Sequence, residues 1–202
     1  MNAPSQPTSP VAVALALVGL GLAVYGVLRA SRPRTSGSGL GFMALAAAGY
    51  LVVSLAAALQ RPEGDGLRAA AFQGGTALLA WALGALSLGR PGDGSSGRWL
   101  ASVGLVGSWL CLLGLPPTAG FHARVLVYRA LLQAGWQSAF GVAVALGVAG
   151  LVPAFSAIAL GSPGRLRGGR GALAVLLLAA LLLVGVYPGF GLSAADFLAG
   201  SR

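Results

Sequence analysis

The chain of 202 residues has no lysine, one histidine, one cysteine and only four acidic residues. It contains no CxxC, HExxH or P-loop motif and no glycine fingerprint between a strand and a helix. Its single cysteine, Cys111, cannot form an internal disulfide. Redox chemistry, hydrolysis and phosphate binding by this chain alone are therefore not expected, and no residue is expected to be catalytic or to bind a metal or a cofactor.

The abundant residues are apolar: 56% are hydrophobic and 8% are charged, against about 25% charged residues in soluble domains. This composition predicts a polytopic membrane protein. All 13 basic residues are arginine, and the net charge is +9. Because the arginines lie in short loops between apolar runs, membrane topology explains them better than nucleic-acid binding does. No nucleic-acid partner is expected.

The apolar runs predict an all-α transmembrane bundle that forms a single domain over residues 1–202. Five runs are long enough to cross as continuous helices: Val11 to Leu28, Leu40 to Gln60, Leu67 to Leu88, Ala139 to Leu160, and Ala172 to Tyr187. A further run, Trp99 to Trp136, is divided by Pro116 and Pro117, which end or bend a helix because proline lacks the amide donor. It forms either two crossings or one interrupted crossing.

The loop charges decide between these counts. Two loops carry arginine without any acid: one has Arg29, Arg32 and Arg34, and the other has Arg165, Arg167 and Arg170. Such loops are cytoplasmic, and they fall on one side only if Trp99 to Trp136 crosses once. The sequence therefore predicts about six crossings, one of them interrupted, with both termini outside.

Three polar residues follow the break: His122, Arg124 and Arg129. A charge at the bilayer centre costs roughly 2.5 to 3.5 kcal/mol even on a lenient scale. At about 100° per residue, His122, Arg129 and Gln133 share a helix face, and Arg124 points away from them. Two interpretations stay open: Arg129 snorkels to the surface while Arg124 caps the broken turn, or the break lines a hydrated cavity that belongs to a proton path.

The run SWLCLLGLPPTAGFHARVLVYRALLQAGW resembles the interrupted helix of the proton-channel subunits of respiratory NADH-quinone oxidoreductase, complex I. It is most similar to subunit N, whose usual pattern is close to SLAGIPPTAGFIGKFYVF. The break residues Pro116, Pro117, Thr118 and Gly120 belong to this match. Weaker similarities at Ala48 to Leu51 and Val184 to Pro188 extend the resemblance over about Ser36 to Gly200.

The resemblance implies an interrupted helix that forms part of a proton path. Where that family has a lysine three positions after the GF of the motif, this chain has Arg124, and arginine does not release its proton. The family's basic pair is replaced by Gly37 and Ser38, and its histidine by Ala47. Full subunits have about fourteen helices, so the resemblance covers only their C-terminal part.

These departures predict a truncated, non-catalytic membrane subunit of a complex I-like enzyme that packs against other membrane-arm subunits and lipid. NADH, FMN, iron–sulfur clusters and quinone are then expected in partner subunits. One alternative is half of a split proton-translocating subunit of a related cation/proton antiporter or membrane-bound hydrogenase. Another is an unrelated membrane scaffold. Arginine without lysine, with abundant Ala, Gly and Leu, indicates a GC-rich bacterial genome and hence a bacterial inner membrane.

Overall fold

The protein is described here by a computed structural model that covers residues 8–32, 35–88, 97–160, 166, 168–189 and 193. These residues form α-helices joined by turns, without strands. The helices are α1 (Pro10–Ala30), α2 (Ser36–Gln60), α3 (Gly66–Ser87), α4 (Arg98–Leu113), α5 (Ala119–Gln133), α6 (Gln137–Ala149), α7 (Leu151–Leu160) and α8 (Gly168–Val186). The predicted all-α membrane bundle is confirmed.

Five helical stretches are long and apolar enough to cross a membrane: α1, α2, α3, α8, and α6 continued through Gly150 into α7. The turn at Gly150 has a local cause, since Pro153 has no amide proton to donate to the carbonyl of Ala149. These five stretches agree with the five predicted continuous spans, and their ends differ by a few residues.

Small residues allow the first two helices to pack closely. A Cβ at Gly26 would lie 2.6 Å from the carbonyl oxygen of Phe42, and one at Gly19 would lie 2.8 Å from that of Gly49. Within lipid the hydrophobic effect does not drive helices together, so close backbone approach supplies much of the contact energy. The starts of these two helices are capped locally: the Ser9 side chain accepts a hydrogen bond from Ala12 N, and Thr35 forms a capping box with Ser38.

Helices α4 and α5 lie one after the other along α3 and run antiparallel to it. Near the end of α3, Gly104 of α4 contacts Ser87, and Ser108 Oγ donates to Ala80 O at 2.6 Å. At the start of α3, Gln133, the last residue of α5, hydrogen-bonds to Asp65. The pair α4–α5 therefore makes one interrupted crossing, as predicted.

This arrangement places the start of α2 and the start of α8, which follow the two arginine-rich stretches of the sequence, at the same end of the bundle. Leu40, near the start of α2, packs on Gly84 near the end of α3, and Leu166 N, just before α8, donates to Gly97 O at 3.5 Å. Arg34, Arg165 and Arg167 themselves lie outside the described residues. Which end faces the cytoplasm stays a prediction.

Candidate functional site

The candidate site is the break between α4 and α5, and it begins with a tightly closed helix end. Gly114 has a left-handed backbone, φ +78°, and its amide donates to Cys111 O at 3.0 Å. The next amide, Leu115 N, reaches back to Leu110 O at 2.9 Å. This is the Schellman pattern, for which glycine is favoured because it has no Cβ.

The second half of the break is a turn that starts α5. Thr118 is buried, and both its amide and its hydroxyl donate to Leu115 O, at 3.1 and 2.7 Å. Phe121 N in turn donates to Thr118 O at 3.1 Å. The motif residues thus supply donors to their own turn, and the two prolines between Leu115 and Thr118 have no amide protons to satisfy.

Two glycines bring other backbone against the break. A Cβ on Gly120 would overlap the carbonyl oxygen of Cys111, and one on Gly185 of α8 would overlap that of Pro117. Gly120 therefore fixes the start of α5 against the end of α4. Gly185 lets α8 cross directly over the turn.

The side chain of Arg124 in α5 extends back across the break and hydrogen-bonds to the end of α4. Its Nη2 donates to Leu112 O at 3.0 Å, and its side chain is buried, with 5% exposed. Leu112 is in the last turn of α4, where unpaired carbonyls form the negative end of the helix dipole, so a cation is stabilised there. Arg124 thus caps α4, as one of the two interpretations of the sequence expected.

The guanidinium of Arg124 also stacks on Tyr50 of α2, with Cζ 3.3 Å from the ring centroid. The Tyr50 hydroxyl donates to Ala143 O of α6 at 2.8 Å. An aromatic face attracts a cation, and the attraction is worth about 2 kcal/mol or more when both groups are desolvated. One arginine and one tyrosine therefore connect four helices, α2, α4, α5 and α6. The other terminal nitrogen of Arg124, Nη1, is buried without a hydrogen-bond partner in the described part of the chain.

Replacing Tyr50 with phenylalanine separates the two contacts of this side chain. The ring that carries Arg124 is kept, and the bond to Ala143 O is lost, so we expect a loss of about 1 kcal/mol, the usual net value of one hydrogen bond. The thermal midpoint of the detergent-solubilised protein measures the loss. Tyr50→Ala, which also removes the ring, should lower the midpoint further. Equal effects of the two variants would show that the ring contact contributes nothing.

His122 contacts α8 rather than Arg124. Its Nε2 lies 2.8 Å from Gly185 O, and since a carbonyl oxygen only accepts, Nε2 carries the proton. The ring also meets Phe121 edge to face, with centroids 5.4 Å apart. His122 therefore joins the start of α5 to the end of α8.

Arg129 and Gln133 lie at the far end of α5 and contact Asp65. Arg129 Nη2 is 3.1 Å from Asp65 Oδ2, and the Arg129 side chain is 60% exposed. Gln133 donates from Nε2 to the same oxygen at 3.1 Å and accepts from Asp65 N at 2.8 Å. Arg61 Nη1 completes the group by donating to Gln133 O at 2.9 Å. These bonds fasten the α2–α3 turn to the end of α5.

The variant Asp65→Asn should weaken this end of the bundle only slightly. It removes the charge opposite Arg129 but keeps a side-chain oxygen, and exposed ion pairs contribute about 0 to 1 kcal/mol. We therefore expect a thermal midpoint close to that of the unmodified protein at moderate salt. A large loss in Asp65→Asn would mean that this end of α5 is shielded from water in the membrane.

The three predicted polar residues thus have three different sets of partners. His122 is bonded to α8, Arg124 caps α4, and Arg129 pairs with Asp65. Arg129 and Gln133, which were predicted to share a helix face with His122, both contact Asp65, and His122 does not join them. A proton path through these residues stays a prediction. Among the described residues no group of three or more His, Cys, Asp or Glu is placed to hold a metal ion.

Sequence reasoning missed several partners of the site. Leu112 and Gly185 contribute only backbone carbonyls, which leave no signal in side-chain chemistry. Asp65 lies in the α2–α3 turn, and its contact with Gln133 spans 68 positions of sequence. Tyr50 was noted only for its resemblance to a family motif. Its position near the middle of α2 would have been the available signal.

Comparisons with protein-family models and with curated proteins give no match. Solved structures do match. A chain of the Mrp complex from Dietzia sp. DQ12-45-1b is 20% identical, with a TM-score of 0.71, over 95% of this chain and 47% of that one. A chain of the membrane-bound sulfane sulfur reductase, an archaeal respiratory membrane complex, is 17% identical, with a TM-score of 0.73, over 94% and 42%.

A chain of respiratory complex I from Thermus thermophilus is 26% identical, with a TM-score of 0.65, over 93% of this chain and 46% of that one. The fold of this protein is therefore shared with chains of these three complexes. The protein spans less than half of the length of each chain. Together with the five apolar helices, the shared fold identifies a multi-pass membrane protein.

Proposed function

We propose that this protein is an antiporter-like membrane subunit of a complex I-like assembly, that it packs in the membrane arm, and that subunit N is the member it resembles most. Two findings support the proposal together. The fold is shared with a chain of Thermus thermophilus complex I, and the PPTAGF run, on which the resemblance rests, forms the break of the interrupted helix. A motif match by coincidence, as in an unrelated scaffold, would not bring the same fold with it.

The functional conclusion rests on the burial and the contacts of Arg124. It is 5% exposed, it caps α4, and it stands where the resembled subunits have a lysine. A guanidinium holds its proton at any accessible pH, so Arg124 can stabilise a structure but cannot carry a proton in turn. The protein therefore packs in the membrane arm and does not itself pump through this residue.

The same proposal assigns the remaining chemistry to partner subunits. NADH, FMN, iron–sulfur clusters and quinone belong there, and this subunit is non-catalytic. It lies in a bacterial inner membrane, with both termini outside. Its lipid contacts are the exposed apolar side chains, such as Leu176 of α8 and Val148 of α6, which are 66% and 63% exposed.

Proton stoichiometry in the assembled complex tests the proposal. Arg124→Lys and Arg124→Ala should leave the number of protons moved per electron pair unchanged wherever the complex still assembles. The measurement is proton uptake into inverted membrane vesicles driven by the electron donor, with subunit content checked in the same vesicles. A large fall in stoichiometry for Arg124→Ala, with every subunit retained, would contradict a packing role.

A second candidate function is half of a split proton-translocating subunit. It is favoured by the coverage of the matched chains, which is 47%, 42% and 46% in the three complexes. The resemblance then requires a companion polypeptide of about eight helices that supplies an intramembrane glutamate and lysine. Purifying the native complex and identifying its subunits by mass spectrometry distinguishes the two candidates, because only the second requires that companion.

A further inference from the structure

Arginine collects at one end of the bundle, the end at which α1 stops and α2, α4 and α8 begin. The described arginines there are Arg29, Arg32, Arg98 and Arg170. The acids in the described part of the chain, Glu63 and Asp65, lie in the α2–α3 turn at the opposite end. Within the described ranges, this end therefore carries positive charge without an opposing carboxylate.

One arginine at this end, Arg29, is positioned by two aromatic rings. Its Cζ lies 5.3 Å from the ring centroid of Phe42 in α2 and 6.0 Å from that of Tyr25 in α1. The two rings meet edge to face, with centroids 6.2 Å apart. Because a ring face attracts a cation, both helices of the α1–α2 pair hold the guanidinium in place.

The hydrogen-bond donors of Arg29 have no oxygen to bind within the protein. The side chain is exposed, and in the described ranges no carboxylate pairs with it and no oxygen accepts a hydrogen bond from it. A guanidinium presents its five N–H donors in a planar fork that matches the oxygens of a phosphate. Arg29 therefore offers a fixed, unused fork to an anionic ligand.

Aromatic residues place Arg29 at the level of the lipid headgroups. Tyr25 precedes Arg29 by one helical turn and so lies about 6 Å deeper. Tyr25 is 50% exposed, and Trp99, at the start of α4, is 69% exposed at the same end of the bundle. Exposed tyrosine and tryptophan near helix ends are typical of the membrane–water interface. Further along α1, the apolar side chain of Val18 is 57% exposed and suits contact with acyl chains.

We infer that Arg29, Tyr25 and Phe42 form a binding site for the phosphate of an anionic phospholipid, which we call the headgroup site. Charge complementarity sets the choice of ligand, because an anionic lipid surface attracts arginines that lie at its level. The acyl chains of the same lipid run along the exposed apolar side of α1. The inference does not depend on the proposed function, since it needs only this chain and a membrane.

Lipid titration of the full chain in detergent, read by native mass spectrometry, tests the inference. Phosphatidylglycerol should bind more tightly than phosphatidylcholine with the same acyl chains. Arg29→Gln should raise the Kd for phosphatidylglycerol about fivefold, the usual contribution of one arginine at an anionic lipid surface. The matched control Arg98→Gln removes the same charge at the same end, where no described ring contacts the arginine, and should leave the Kd unchanged. Equal affinities for the two lipids, or equal losses in the two variants, would overturn the inference.

Two further variants separate a built site from diffuse positive charge. Arg29→Lys keeps the charge but lacks the planar fork, and Tyr25→Leu keeps the arginine but removes one ring. Each should raise the Kd for phosphatidylglycerol by less than Arg29→Gln does. The thermal midpoint without added lipid shows whether each variant is folded, and Tyr25→Leu remains informative if Arg29→Gln does not fold. An unchanged Kd in both variants would show that net charge alone attracts the lipid, and would reject the headgroup site.

Glycerol phosphate distinguishes a lipid from a soluble phosphate, because it carries the anionic group without acyl chains. It should not displace phosphatidylglycerol when added at the same concentration as the lipid. Displacement at equal concentration would mean that the site binds a soluble anion, and the assignment to a phospholipid would be wrong.

Discussion

Gly120→Ala is expected to have one of the largest effects on folding among the glycine-to-alanine changes at the described residues. The added Cβ would overlap the carbonyl oxygen of Cys111 and lie 2.7 Å from its carbonyl carbon. The obstacle is backbone, so no side chain can rotate away, and the start of α5 must separate from the end of α4. We expect a loss at or above the upper end for overpacked sites, about 3 kcal/mol.

The measurement is the thermal midpoint and the yield of monodisperse protein, read by size-exclusion chromatography of a fluorescent fusion. A matched control is Gly75→Ala on α3, where a Cβ meets nothing within 4 Å. Removing a glycine from a helix interior favours the helix by up to about 1 kcal/mol, so Gly75→Ala should be neutral or slightly stabilising. Similar losses for both glycines would mean that α4 and α5 are not held together at Gly120.

The features that could be predicted from the sequence have local causes. The continuous spans follow from runs of apolar residues, and the break follows from Pro116 and Pro117, which cannot donate in a helix. The prediction of a single interrupted crossing depended on the rule that arginine-rich loops lie on the cytoplasmic side. This rule was sufficient because it gives the side of each loop without any knowledge of how the helices pack. The orientation of Arg124 away from Arg129 followed from helical periodicity.

The partners of those side chains could not be predicted, because they depend on which helices become neighbours. Arg124 could have met water, a carboxylate or a carbonyl, and its aromatic partner Tyr50 lies on a different helix. Asp65 lies in the turn before α3, and only the antiparallel packing of α5 on α3 brings Arg129 to it. Periodicity gives the direction of a side chain, and tertiary packing decides what it meets.

Arg124→Ala should destabilise the protein far more than Arg129→Ala, although both remove an arginine from α5. Arg124 is 5% exposed and caps Leu112. Its removal leaves a buried carbonyl unpaired, at about 1 to 3 kcal/mol, and leaves a cavity between α2, α4 and α5. We expect a total loss of about 2 to 5 kcal/mol, as for other large-to-small changes in a packed interior. The Arg129 side chain is 60% exposed, and its loss should cost no more than about 1 kcal/mol.

The opposite outcome, in which removing Arg124 stabilises the protein, also has a physical basis, so the measurement distinguishes two real alternatives. A buried charge without a counter-charge costs several kcal/mol, and replacing it can stabilise a protein. In this structure the charge of Arg124 faces the carbonyl end of α4 and the ring of Tyr50. Both groups stabilise the charge, so removing it should recover little of the free energy that its burial costs. Arg124→Met isolates this effect, since it fills most of the volume without donating to Leu112 O. We expect its thermal midpoint to fall between those of the unmodified protein and Arg124→Ala. A midpoint of Arg124→Met above that of the unmodified protein would show that burying the charge outweighs the cap, and that Arg124 is kept for a reason other than stability.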